Sequence, residues 1–490
     1  MSESSSIKKD IVKGSIWIAI AKYSGIFVQI IVTALLARMI SPAAFGTIAV
    51  AMVILQFLNI LSDIGIGPAV VQFKQLSKNQ LNSLFTLNIY IGIALSLFLF
   101  SVSWTMADYY HDISLVRVCQ VMALVVFFNS LNVVPNALMR KDKRFRTIAK
   151  RTLFFQILSG IIAVWSAFHG WGIYALLVSP LLSSIGVFCV NFYNYPHHYV
   201  IKLNKEALNM VFSFSFFQFA FSFFNYFSRN LDKLIIGKYF SMSQLGYYDK
   251  SYHLMLLPVQ NITFVVEPVL HPVLSSLQDD KHELGLKNIR LAQIISRISF
   301  PIGVLLFFCG EELIHLVYGN QWDAAIPVFK ILALSLPLQM IQSTSGAIYQ
   351  AAGKTNHMFY NGLINTTITV SGFFIAAIFG GNIESIAWAF NITLLINFID
   401  SYYILCHYTM GQSVWPFFRS LLPQGLNSFF SFLATYAFVL LLPEVNGIIT
   451  IIIKCVILFA MTISFAVIFK QYNFFKFLEE KKKFTNLFNR

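Results

Sequence analysis

Charge is scarce in this 490-residue sequence: Asp, Glu, Lys and Arg make up 11% of it, against about 25% in an ordinary soluble domain. Such a chain cannot clothe a soluble core in polar side chains. With 57% hydrophobic residues and a mean hydropathy of +0.69 it reads as an all-α integral membrane protein. Cysteine is scarce too. Cys119, Cys189, Cys309, Cys406 and Cys455 lie in or near apolar segments and form neither a CxxC pair nor a Cys/His ligand set, so neither a disulfide nor a metal site is expected. A phosphate-binding Gly-rich loop, a GxSxG elbow and an HExxH pair are all missing, which leaves no sequence basis for an enzyme or a bound cofactor. The opening stretch MSESSSIKKD has no apolar core before a small-residue cleavage site, so the first helix is expected to direct insertion.

What is present is a series of apolar runs of spanning length, about 20 residues each for a hydrocarbon core of about 30 Å. They fall at 12–40, 44–66, 82–107, 115–139, 152–169 and 172–193, then at 208–236, 245–275, 289–311, 325–351, 355–380 and 383–408, with two more at 418–442 and 445–469. That makes about 14 transmembrane helices. Of the 35 Lys and Arg, 25 fall in segments on the N-terminal side, seven of them in RKDKRFRTIAKR from Arg140 to Arg151, and four (Arg38, Arg117, Lys238, Lys250) fall on the other. Short loops follow the positive-inside rule, so both termini are expected in the cytoplasm. The net charge of +14 is then read as orientation and anionic headgroup contact, not nucleic-acid binding.

The sequence repeats itself at an offset of 200 residues: Arg38 lies over Lys238, Ser41 over Ser241, Gly46 over Gly246 and Pro68 over Pro268. An even number of helices separates the copies, so both enter from the same side, a parallel repeat about an axis along the membrane normal. The expected organisation is an N-terminal six-helix lobe over 1–205, a C-terminal six-helix lobe over 206–410, two additional helices over 411–470 and a basic cytoplasmic tail over 471–490. Two bundles related in this way enclose a central space.

Six cations fall inside the spans: Lys22, Arg229, Lys233, Arg297, Lys330 and Lys454. A cation facing lipid at mid-depth is costly, so the deeper ones are expected against protein or a watery cavity. Lys330 and Lys454 lie nearer predicted helix ends and are expected to snorkel to the interface. The densest patch, SRNLDKLIIGK, sets Arg229, Asp232 and Lys233 on one helix face. Asp232 pairs with one of the two cations, and a positive charge is left over. A diphosphate suits it, since a guanidinium binds such oxygens in bidentate fashion and lysine adds a point charge. The intramembrane acids Asp63, Asp232, Glu267 and Asp400 are either coupling groups for ions and protons or plain partners for these cations.

The motifs LARMISPAAFG, DIGIGPAVVQ and RNLDKLIIGKYF, followed by LGYYDKSYHL and EPVLHPVLSSLQDD, resemble the polysaccharide-transport (oligosaccharide flippase) family of the MOP flippase superfamily, in its WzxC/TuaB-like branch. The likeness runs from helix 1 through helix 12. It implies a MATE-like fold of two six-helix lobes. It also implies a flippase that moves an undecaprenyl-diphosphate-linked oligosaccharide repeat unit from the cytoplasmic to the outer leaflet of the inner membrane, for exopolysaccharide, capsule or O-antigen assembly. A polysaccharide polymerase and chain-length proteins would be its partners. The matching motif positions include Arg38, Ser41, Pro42 and Gly46 in the first copy and Arg229, Asn230, Asp232, Lys233, Gly246 and Tyr248 in the second. Glu267 departs from the pattern, an acid before a proline where an apolar residue is expected. The expected substrate cavity thus holds Lys22, Arg38, Arg229, Asn230, Asp232, Lys233 and Arg297, with Asp232, Glu267 and Asp400 as candidates for ion coupling. Two other readings stay open at this point. A drug or metabolite antiporter on the same fold should have an acidic cavity, and a membrane polymerase or ligase of the same pathway should have a large external loop.

Overall fold

The computed structural model describes residues 2–73, 76–206, 208–209, 219, 226, 229–275, 278, 280–441 and 447–468. All regular structure among the described residues is helical. Helices α1 (Ser2–Met39) and α2 (Pro42–Asp63) meet at a sharp corner. There Ser41 stands extended and accepts from the Ala44 amide at 3.5 Å, and Pro42 opens α2, where its missing N–H would have had no partner anyway. The corner recurs 200 residues on. Residues 229–239 form α8, and α9 (Met242–Ser275) is opened by Ser241. The Ser241 hydroxyl accepts from the Gln244 amide at 3.2 Å while the Gln244 side chain accepts from the Ser241 amide at 3.1 Å, a reciprocal cap.

The two corners touch. A Cβ added to Gly46 would stand 1.8 Å from the carbonyl oxygen of Met242, and one added to Gly246 would stand 2.1 Å from the carbonyl oxygen of Pro42. Pro42 and Met242 are equivalent in the repeat, so the contact is reciprocal, and only glycine permits this approach of backbone to backbone.

Helix α2 ends at Asp63, short of the expected residue 66. Ile64 and Gly65 turn left-handed at φ +40° and +76°, and the short α3 (Ile66–Gln72) resumes with its Gly67 amide donating to Asp63 Oδ1 at 2.7 Å. A β-branched residue in that region is strained, so the DIGIG stretch is a built break in the span. After α4 (Lys78–Tyr110), α5 (Ser114–Lys141), α6 (Phe145–Phe168) and α7 (Ala175–Asn194), the chain returns through α8 and α9 to α10 (Lys281–Phe308) and the short α11 (Gly310–Val317). The expected single span over 325–351 is three pieces, α12 (Ala325–Ala333), α13 (Leu336–Gln342) and α14 (Ser345–Ala351), bent by 47° at the first break. Pro337 lies just past that break and cannot donate to a carbonyl of the preceding turn. At the break the Leu332 carbonyl accepts from both the amide of Ser335 at 3.0 Å and its Oγ at 2.6 Å, an i−3 turn in place of the α-helical ladder. Helices α15 (Thr355–Phe379), α16 (Ile383–Tyr403, passing into a π-helical turn over Ile404–Thr409), α17 (Trp415–Leu441) and α18 (Gly447–Ile468) complete the order. Among the described residues nine helices are long and apolar enough to cross a membrane, ten if α12–α14 is one bent span. The expected span over 208–236 lies largely, and the basic tail over 471–490 wholly, outside the described residues.

By contacts the chain forms two units, Met1–Asp249 with Val317–Gln321, and Lys250–Leu316 with Trp322–Arg490. In the first, α5 is the centre, packed on α2, α3, α4 and α7, while α1 lies on α6. Leu84 and Phe85 of α4, Val70 of α3 and Val134 of α5 belong to its buried core. Polar pairs join the helices where apolar contact gives no preference over lipid: Asn88 Nδ2 donates to the Ser130 carbonyl at 3.1 Å, and Ser130 Oγ to the Asn88 carbonyl at 2.7 Å. In the second unit α10 packs on α12, α13, α17 and α18, and α15 on α16.

Candidate functional site

Four of the expected site residues stand on α8. Arg229 is exposed at the described start of the helix, and Asn230 turns back to donate to the Tyr226 carbonyl at 3.0 Å. Asp232 is 4% exposed and accepts from the Tyr248 hydroxyl at 3.0 Å and from the Lys233 amide at 2.8 Å. Lys233 Nζ reaches α9 and pairs with Asp249 Oδ1 at 2.7 Å. Helical spacing alone had suggested an ion pair of Asp232 with Arg229 or Lys233. Instead the neighbouring helix supplies the partners, because α8 and α9 meet at the Ser241 corner and bring Tyr248 and Asp249 alongside. Asp249 also offsets the leftover positive charge: with Arg229, Lys233, Asp232 and Asp249 the group holds two formal charges of each sign.

On α1, Lys22 is half-buried, with Nζ 6.0 Å from the centre of the Tyr23 ring. Arg38, exposed in the last turn, covers Gly319, which sits at φ +92° with an added Cβ only 3.3 Å from Arg38 Cγ. Gln321 caps the same helix end, donating to the carbonyls of Ala37 and Ile40. The structure thus sets Asp232 and Lys233 of α8 against α9, Asn230 back onto its own helix, and Arg38 at the end of α1 over Gly319.

The remaining residues belong to the second unit. Arg297 is exposed on α10, beside an apolar cavity of about 660 Å³ lined by Ile298, Pro301 and Leu305 of α10 and by Val456, Phe459 and Ile463 of α18. Asp400 stands on α16 next to a ladder of polar side chains. Asn365 Nδ2 donates to Asn361 Oδ1 at 2.8 Å and to Ser401 Oγ at 2.9 Å, and Asn397 Nδ2 donates to Thr369 Oγ1 at 2.8 Å. Buried oxygens of Asn365, Asn397 and Asp400 have no donor. Glu267 is on α9, and its side chain lies outside the described residues.

The snorkelling expected of Lys454 is corrected, while Lys330 stays part-exposed beside an exposed acid. Lys454 is buried, donating to the Phe308 carbonyl at 2.8 Å and pairing with Glu312, while Lys330 lies 3.9 Å from Glu311. Both find their acids at the start of α11, a helix too short to register as an apolar run. Sequence reasoning also passed over the α15–α16 ladder, whose signal was there: Asn361 with Asn365, and Asn397 with Ser401, each four apart in an apolar span.

The model of the family described as "Polysaccharide biosynthesis protein" matches residues 35–327, well over half of the chain. The chain is 26% identical over 426 residues to the teichuronic acid biosynthesis protein TuaB of Bacillus subtilis (strain 168), covering 86% of this chain and 87% of that one. Its fold is similar to that of the lipid II flippase MurJ in an inward closed conformation, with a TM-score of 0.70 and 17% identity over 94% of this chain and 99% of that one. A multidrug resistance MATE family transporter of the MOP superfamily in an inward-facing conformation gives a TM-score of 0.56 at 13% identity, over 78% of this chain and 94% of that one. The likeness in fold agrees with the MATE-like architecture that the family resemblance implies. This chain therefore belongs to the polysaccharide biosynthesis protein family, built on the fold of the MOP-superfamily transporters.

Proposed function

We propose that the protein moves an undecaprenyl-diphosphate-linked oligosaccharide repeat unit from the cytoplasmic to the outer leaflet of the inner membrane, with both of its termini in the cytoplasm. It alternates between inward-open and outward-open states of two repeated lobes, over 1–205 and 206–410. The sugars and diphosphate cross a cationic cavity while the polyprenyl chain stays in lipid. Arg229, with Lys22, Arg38, Lys233 and Arg297, meets the diphosphate, and Asn230 meets sugar hydroxyls. Asp232, Glu267 and Asp400 are the coupling candidates. Support is greatest for Asp400, since buried oxygens without donors beside a carboxylate suit a small cation. The polymerase and chain-length proteins of the pathway take over the product.

The observation that carries this reading is Arg229. Ten residues from the end of α8 it sits ~15 Å in from that end, yet the residue is exposed while its neighbours Asp232 and Lys233 are engaged by Tyr248 and Asp249. An exposed cation at such a depth calls for water or an anionic ligand, because lipid would make it costly. Arg229→Ala is expected to abolish complementation of polysaccharide export at matched membrane abundance. Normal export at matched abundance would remove Arg229 from the site.

A further inference from the structure

Helix α7 ends at Asn194, and the chain then runs non-helically to Asn204 along the first half of α4. The side chains of α4 hold its backbone. Asn82 Oδ1 accepts from the His198 amide at 3.1 Å, Thr86 Oγ1 from the Val200 amide at 3.0 Å, and Ser83 Oγ from the Asn204 amide at 2.6 Å. The Tyr199 hydroxyl bonds that of Tyr90, and His197, 8% exposed, stacks on Phe85 with ring centroids 5.2 Å apart. A stretch tied at five points along one helix is a fixed strap.

With its backbone turned to α4, the strap sends large side chains outward. Ile201 is 84% exposed, Tyr193 just before it on α7 is 87% exposed, and Lys202 and Lys205 are exposed as well. The α5–α6 corner is welded to the same place. Arg144 donates to Asn194 Oδ1 at 3.0 Å and lies 5.3 Å from the centre of the Tyr195 ring, whose hydroxyl donates to Asp142. Lys143 and Lys150 are exposed on the α5–α6 corner and the first turns of α6, and Asp142 of that corner and Glu206 just past the strap are exposed acids among the described residues.

We propose that the strap and this corner form a preorganised site for anionic phospholipid headgroups. Tyr193 and Ile201 enter the acyl boundary, and Lys202, Lys205 and Arg144 meet the phosphates. A free phosphate would use only the cations. Two large apolar side chains beside them at the end of a spanning helix match a surface that is charged at headgroup level and apolar just beneath. The inference rests on the membrane reading of the fold and is independent of the transported cargo.

The test uses the full chain in nanodiscs of phosphatidylcholine with and without phosphatidylglycerol, with native mass spectrometry of the lipid retained on release and thermal unfolding in parallel. Wild type should retain phosphatidylglycerol in preference and gain thermal stability from it. The variant I201S/K202Q/K205Q should retain several-fold less and lose most of that gain. The pair K202Q/K205Q, which keeps Ile201 and every hydrogen bond to α4, should show an intermediate loss. Slow exchange of the Val200 and Asn204 amides in both variants would show that the strap stays docked. Retention equal to wild type in the pair overturns the proposal. So does an equal gain in stability from inorganic phosphate added to phosphatidylcholine nanodiscs, which would make the site one for free anions.

Discussion

Lys454 and Glu312 show how much a single contact decides inside a membrane protein. Their side chains are 10% and 12% exposed, and Glu312 Oε2 has no donor. Lys454→Met leaves the carboxylate buried without a counter-charge, an effect of about 3–5 kcal/mol when one member of such a pair is removed. The expected result is a clear fall in the midpoint of thermal unfolding in detergent, with most of it restored in the double variant K454M/E312L. A fall that the double variant deepens would mean that Lys454 acts through the Phe308 carbonyl and not through the pair. The sequence could not disclose this contact, because the partners are 142 residues apart and depth along a helix says nothing about which acid stands opposite. The same limit applied to Lys233. Its own helix offers Asp232 next door, yet the ion pair forms with Asp249 of α9. What was legible at this scale was the chemistry of the patch; the partners depended on how α8 and α9 meet.

Among elements, the corners were legible and the breaks were not. Ser41 with Pro42 and Ser241 with Gln244 are helix-starting signals, and they open helices two to three residues before the expected spans at 44 and 245. The recurrence of Gly46 and Gly246 in the repeat gained a physical reason only when each was found against the other's backbone. Gly246→Ala puts a methyl 2.1 Å from the Pro42 carbonyl oxygen, where backbone and not a flexible side chain must yield. This variant is expected to unfold several degrees lower than wild type, whereas Gly346→Ala, at a position with open space around it, should be neutral; equal midpoints for all three would remove the crossing as a structural requirement. The interruptions after Asp63 and before Pro337 escaped because hydropathy runs through them unbroken, while backbone geometry there is set by glycine, proline and side-chain hydroxyls.

The strap on α4 carries a pH dependence of its own. Burial lowers the His197 pKa below its ordinary 6.5, the Tyr195 carbonyl opposing this and His198 adding to it, with the uncharged Phe85 facing it from α4. A released strap therefore binds a proton more readily than a docked one, so docking is fully supported above pH 6.5 and weakens as pH falls through that value. Exchange of the Val200 and Asn204 amides, corrected for the intrinsic rate, is expected to be faster at acidic than at neutral pH. In His197→Phe the difference should vanish; a wild-type strap whose corrected exchange is flat across this range would contradict the assignment.

For the whole molecule, composition already sufficed to place the chain in a membrane, and the 200-residue offset announced a repeated fold before any helix was drawn. The MOP-superfamily fold itself was expected from the motif resemblance, and the solved structures agree with it. Cargo is a different matter. The proposed diphosphate carrier rests on cations scattered over α1, α8 and α10, and the identity of the sugar leaves no trace in a site built from Arg, Lys and Asn. The most direct test of the central claim is mass spectrometry of polyprenyl-diphosphate lipids from cells depleted of this protein, with an enzymatic probe that distinguishes glycan on the two leaflets. The account predicts accumulation of one complete repeat unit confined to the inner leaflet. An unpolymerised unit on the outer leaflet, or an unchanged lipid profile, would contradict it.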